Sequence, residues 1–222
     1  LSPIVAQLDS PYSDVRQAAI AVLSRIADDR VYPKILEMSR NTNPVFRVYA
    51  AEALAALYDK RFIPVVTEMI RDENKSVRIL AIRIILKNRI DAMYPALRNA
   101  AAKDENHEVT VEALKALASL DDASSIYIFI KALSSPDAEV RRAAADTIVL
   151  FQVSRAAFAV SEQLEVETDP DLKSALLEIL IRYRNPGNFR GLERIISADA
   201  SPALRVKAAA ALGFTRSDRA ED

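Results

Sequence analysis

The 222-residue chain has no cysteine, no tryptophan, three glycines and one histidine, and its charges nearly cancel, 30 Lys and Arg against 31 Asp and Glu. Each scarcity removes a class of molecule. Without cysteine there is no disulfide framework, no thiol nucleophile and no thiolate metal site; such a chain suits a bacterial cytoplasm or periplasm, with the cytoplasm slightly preferred. The single histidine, His107, is followed by Glu108, and one such pair falls short of the three or more ligands of a metal centre, so neither metal nor cofactor is expected. A formal net charge of −1 provides no field that would draw the chain to nucleic acid or an anionic membrane. No apolar run approaches the ~18 residues of a membrane span, and nothing reads as a signal peptide. Scarce glycine, abundant Ala, Leu, Ile and Arg, and the absence of period-two alternation point to an all-α protein.

What is present is one sentence written seven times. Taking Arg141 as the reference, the matching residues are Arg16, Arg47, Arg78, Thr110, Arg141, Lys173 and Arg205, spaced 31 or 32 residues apart. One residue earlier stand Val15, Phe46, Val77, Val109, Val140, Leu172 and Leu204. Three later the residue is Ala in every copy except Leu176, and seven later it is Leu or Ile. Offsets of −1, +3 and +7 share one face of an α-helix, and the small residue lets a neighbouring backbone come close. Four residues before the reference lie Tyr12, Asn43, Asn74, Asn106, Asp137, Asp169 and Ser201, six of them suited to an N-cap; Pro44, Pro170 and Pro202 follow the cap where a missing N–H costs nothing. A shorter amphipathic helix precedes each of these, with Pro33, Pro64 and Pro95 near the start of three.

The period predicts a single solenoid over residues 1–222, with repeats at about 1–28, 29–59, 60–90, 91–121, 122–152, 153–185 and 186–213. Neither end shows the polar face of a capping repeat, and Ser217–Ala220 reads like the opening of an eighth unit, so a piece of a longer chain is expected.

Two helices in about 31 residues, the second opening Asp/Asn-x-x-Val-Arg-x-x-Ala-Ala, resemble the HEAT-like repeats of the short bacterial type known from phycobilin lyases. The resemblance covers about residues 2 to 213. It implies a right-handed α-α superhelix, an α-solenoid of about seven two-helix repeats, with the second helices lining the concave side and with the cap and arginine columns hydrogen-bonding between neighbouring repeats. Tyr12 and Thr110 depart from those columns, and the usual glycine before the inter-repeat turn is mostly missing. The family holds scaffolds, lyase subunits, glycosylases and hydroxylases, so function must come from the residues.

The candidate site is the outward face of the second helices, at offsets +1, +5 and +8. It comprises Val48, Glu52, Ile79, Arg83, Leu86, Val111, Lys115, Asp146, Val149 and Ile181. An apolar band beside charges offers hydrophobic area for affinity and charge for register. The competing explanation is that offsets +1 and +8 pack between repeats and that Glu52 pairs with Arg83. The basic third repeat, with Lys75, Arg78 and Arg83, faces the acids of the fourth, and mutual pairing is its expected use. No catalytic residue is assigned. The sequence favours a non-catalytic protein–protein interaction scaffold, monomeric, with a peptide or protein partner on the concave face. The alternatives are a bilin-lyase-type subunit, supported by repeat style alone, and a glycosylase-like DNA-binding protein, weakened by the missing tryptophan and balanced charge.

Overall fold

The computed structural model describes residues 2–26, 29–150, 156–183, 189–198 and 201–217. Every regular element among them is a helix. The expected repeat boundaries at 152/153 and 185/186, and residues 218–220 of the expected eighth-unit opening, lie outside the described residues.

The caps act as their column suggests. Asn43, Asn74 and Asn106 accept the N–H two residues on through Oδ1, at 3.0, 2.9 and 3.1 Å. Asp137 and Asp169 each accept two such N–H groups. A cap satisfies donors the first turn would otherwise orphan, which fixes where each second helix begins. The shorter first helices α5 (Ile63–Met69), α7 (Tyr94–Lys103) and α9 (Ile126–Ala132) are each entered through a single 3-10 turn. Pro64 and Pro95 occupy the first turn of α5 and α7, where no backbone bond is lost.

The chain divides into two compact units, Leu1–Ala116 and Leu117–Asp222, and the division falls within α8 (His107–Ser119). In the first, a short helix α1 (Ser2–Val5) precedes α2 (Ser13–Ile26), and α3 (Val31–Ser39), α4 (Pro44–Leu57) and α6 (Lys75–Asn88) follow with α5 and α7. Second helices stack in order, α2 on α4 and α4 on α6, while α3 and α5 pack on α4 and α6. In the second unit α9 packs on α10 (Ala138–Leu150), α11 (Ala157–Val166) on α12 (Pro170–Tyr183), and α13 (Phe189–Ala198) on α14 (Pro202–Ser217). There too α10 contacts α12, and α12 contacts α14.

The core lies where the columns put it. Ala50, Ala81, Ala113, Ala144 and Ala208 are fully buried, as are Leu54, Ile85, Leu117, Ile148 and Leu180. Each of the larger residues contributes roughly 1.5–3 kcal/mol through burial, so the repeated face supplies most of the driving force for folding. Val15 departs from its column, being 37% exposed where its counterpart Val77 is fully buried. The missing turn glycines have a local answer: Arg89 and Asp121 take the left-handed conformation themselves, at φ 48° and 56°. Ile90 and Asp122 then donate back to the carbonyls of Ile85 and Leu117, which closes α6 and α8 in a Schellman turn.

Candidate functional site

The arginine column is consumed by the stack. The Arg47 guanidinium donates from Nε and Nη2 to Asp72 at 2.7 and 2.9 Å, Arg78 to Asp104 at 2.9 and 2.8 Å, and Arg141 to Glu167 at 2.8 and 3.0 Å. Its remaining arm, Nη1, donates to two carbonyls of its own turn: Asn41 and Thr42 for Arg47, Asp72 and Glu73 for Arg78, Ser135 and Pro136 for Arg141. A planar fork suits this division, because two parallel bonds fix the carboxylate while the third nitrogen stays free for the turn. Arg16 makes the same turn contacts to Ser10 and Pro11, but the acceptor position of the next repeat holds the neutral Asn41. It turns instead to Glu52 at 3.2 Å and lies 3.6 Å over the Tyr49 ring.

The acceptors form a column that inspection of the arginines alone overlooks. Asp72, Asp104 and Glu167 each stand six residues before the reference of their own repeat, and each also accepts the N–H of the cap residue two positions on. An acid recurring six residues before the reference position, ahead of Arg78, Thr110 and Lys173, is the signal that marks them. In the cap column Asn43, Asn74 and Asn106 accept N–H groups of their own helix starts, while Asp72 and Asp104, two positions before Asn74 and Asn106, accept from the arginine of the preceding repeat. Glu167 is the most enclosed of the three, its side chain fully buried. Burial alone would push its carboxyl up. The Arg141 guanidinium, the N–H groups of Asp169 and Thr168 and the Gln163 amide outweigh that and hold it down at about 2.

With the reference arginines committed, the offset +5 side chains are what the second helices present outward. In the first unit Arg83 is 57% exposed and donates to Glu112 at 2.6 Å, and Lys115 is exposed. Glu52 is half-buried against Arg16, so the expected Glu52–Arg83 pair is replaced by two others. Val48, Ile79, Leu86 and Val111 are half-buried. Ile79, Arg83 and Leu86 lie along one face of α6, and Lys87 beside them donates to the Ala55 carbonyl of α4 at 2.6 Å. In the second unit Asp146 is exposed, with Val149 and Ile181 half-buried. The basic third repeat pairs forward as expected, Lys75 with Glu108 at 2.6 Å, Arg78 with Asp104 and Arg83 with Glu112.

On the side of the first helices, an open groove of about 690 Å³ runs between α5 and α7, lined by Ile63, Thr67, Met93, Ala96, Asn99 and Lys103. Its charged edge is built from the stacking pair Arg78 and Asp104. His107 is exposed at the start of α8, and no cluster of three metal-ligating side chains occurs among the described residues. No helix among them is long and apolar enough to cross a membrane.

A family model of HEAT repeats matches residues 1–87 and 94–181. No curated protein matches the sequence. Among solved structures the chain is similar to the Escherichia coli protein YibA, at 16% identity and a TM-score of 0.61, over 97% of this chain and 92% of that one. It is also similar to an archaeal HEAT-like repeat protein from Thermococcus onnurineus, at 15% identity and a TM-score of 0.58, over 97% of both chains. A third is a chain from the complex of CpcE and CpcF of the Nostoc phycocyanin lyase, at 18% identity and a TM-score of 0.50, over 94% of this chain and 85% of that one. At such identities the likeness establishes an all-α solenoid of HEAT-like repeats and nothing finer.

Proposed function

The chain belongs to the HEAT-repeat family, and from that premise we propose that it is a non-catalytic scaffold holding a peptide or protein partner against the outward face of its second helices. One observation carries the reading. The buried arginines are spent on stacking, whereas in the first unit the +5 charges Arg83 and Lys115 stand exposed on the helices that carry the half-buried Ile79, Leu86 and Val111, and in the second unit, taken by itself, exposed Asp146 shares α10 with half-buried Val149. Such a face supplies apolar area for affinity and charge for register. The mechanism is surface complementarity, with no bond made or broken.

A photo-crosslinker placed at Arg83 tests this directly, with a control at the exposed Glu68 on α5. Specific partner peptides are expected at the first position and not the second; equal capture at both would refute the assignment. The double variant Ile79→Asp with Leu86→Asp should lose the partner while keeping near-normal helicity. Its unfolding would instead make the band part of the core. A shift in the absorption of an added linear tetrapyrrole, with transfer to an acceptor protein, would place the chain with chromophore lyase subunits.

A further inference from the structure

Seven residues before the reference position, the two units differ. In the first unit that column reads Asp9, Arg40, Arg71 and Lys103, so that α3, α5 and α7 each end on or just before a cation. In the second unit it reads Ser134, Val166 and Ala198. A cation suits the negative end of a helix, but α11 ends on Val166 without one, so the repeat does not require it. Arg40 pairs with Glu68 at 3.4 Å. Arg71 and Lys103 are exposed and have no ion-pair partner among the described residues.

Both of these cations line the groove between α5 and α7. Its floor is the buried Met93, whose Sδ lies 3.2 Å from the Thr67 hydroxyl of α5. Ile63 stands on one wall; on the other, Ala96 and Ala100 offer only methyl groups, too little to fill the space. The exposed Asn99 amide beside them carries both donors and an acceptor. Ile63 and Met93 lie at the N-terminal ends of the two helices and Arg71 and Lys103 at the C-terminal ends, so the groove runs from apolar to cationic. The acids at the cationic end are already engaged. Asp72 and Glu73 hold Arg47 at 2.7 and 2.9 Å, Asp104 holds Arg78 at 2.8 Å, and Glu105 lies 4.0 Å from Arg78. The charge left to a ligand is positive. The corresponding groove of the second unit, about 630 Å³ between α11 and α13, has Val166 in that column, and its Arg194 donates to the Glu165 carbonyl at 3.3 Å.

We propose that the α5–α7 groove holds a short extended peptide segment that runs from apolar side chains into carboxylates, the apolar residues over Ile63 and Met93 and the carboxylates at Arg71 and Lys103. Complementarity selects this occupant. The apolar walls take side chains of like character, the Asn99 amide matches a peptide unit, and the two unengaged cations take acids. A volume of about 690 Å³ falls within the roughly 300–1,000 Å³ of small-ligand sites, room for a few residues and not for a folded partner. This site belongs to the first helices and does not depend on the second-helix face.

An array of hexapeptides with apolar, acidic, basic and neutral polar residues permuted by position, probed with the 222-residue protein, tests this. The parent should retain peptides that run from apolar to acidic and release them as salt is added. Fluorescence polarisation of the tightest of these should show about tenfold weaker binding to Arg71→Ser with Lys103→Ser, two exposed ion pairs being lost. Circular dichroism should show unchanged helicity in that variant, since neither side chain is buried. Ala96→Phe, which fills the groove, should abolish binding, and Arg83→Ser should leave it unchanged. Loss in Arg83→Ser but not in the Arg71 and Lys103 variant would put the peptides on the second-helix face, overturning this site while leaving the scaffold reading intact. An array that retains no apolar–acidic peptide, or that prefers basic ones, overturns the proposal outright.

Discussion

The carboxylate of Glu167 gives the sharpest test of how the repeats are joined. Its Oε1 accepts Nη2 of Arg141 and the N–H groups of Thr168 and Asp169; its Oε2 accepts Nε of Arg141 and the Gln163 amide. In Glu167→Gln the new NH₂ must face donors on one side or the other, and the Arg141 charge stays behind without its partner. Removing one member of a buried pair costs about 3–5 kcal/mol. The titration supplies a second route: a carboxyl held at about 2 against an ordinary 4.5 represents roughly 3 kcal/mol. Because the folded-state value is depressed, this stabilisation is complete above pH 4.5 and drains away as pH falls towards 2. Urea unfolding of parent and variant across that range is the assay. The variant should be less stable by about 3 kcal/mol at pH 7, and the gap should narrow steeply by pH 2. A gap that stays constant with pH would show that the charge on Glu167 does not hold the repeats together.

Arg78→Met should cost about 3–5 kcal/mol in the same assay, because it strands the buried Asp104, whereas Arg83→Met should stay within about 0.5 kcal/mol, Arg83 being exposed and its partner Glu112 only half-buried. Equal effects would undo the distinction between stacking and surface arginines. Arg89→Gly should stabilise by about 1 kcal/mol, read as a raised urea midpoint, since glycine adopts the left-handed turn without a steric penalty. Gly191→Ala should destabilise by about 1 kcal/mol net. Its added Cβ would lie 3.1 Å from the Ser161 carbonyl oxygen and 3.2 Å from Glu165 Cγ, forcing α13 off α11 by more than the better helix propensity returns. A stabilised alanine variant would mean the helices are not in close contact there.

The architecture was legible because every repeat must solve the same problem. Val140, Ala144 and Ile148 bury one helical face, Asp137 caps its start, and seven near-copies make the spacing unmistakable. The stacking bonds were half legible: the arginines stood out as a column, but Asp72, Asp104 and Glu167 sit in turns and vary in side-chain length, so their recurrence drew no notice. Pairing on the outer face was less legible still. Glu52 went to Arg16 because Asn41 offers that arginine no charge, a consequence visible only when two columns are read together. The exposure of Val15 and Val22 depends on what lies across α2, which no local pattern encodes.

The divided guanidinium has a thermodynamic consequence. Arg47 ties its own turn at Asn41 and Thr42 with one arm and the following repeat at Asp72 with the other. A repeat peeled from its neighbour therefore also loosens its own hairpin, so the intrinsic and nearest-neighbour terms that describe repeat arrays are not independent here. Repeats joined this way should melt in blocks rather than fray one by one, and the amides of those turns should exchange with the block. The fourth repeat, with Thr110 in that column, has no such side chain to divide, which marks where one cooperative block can end.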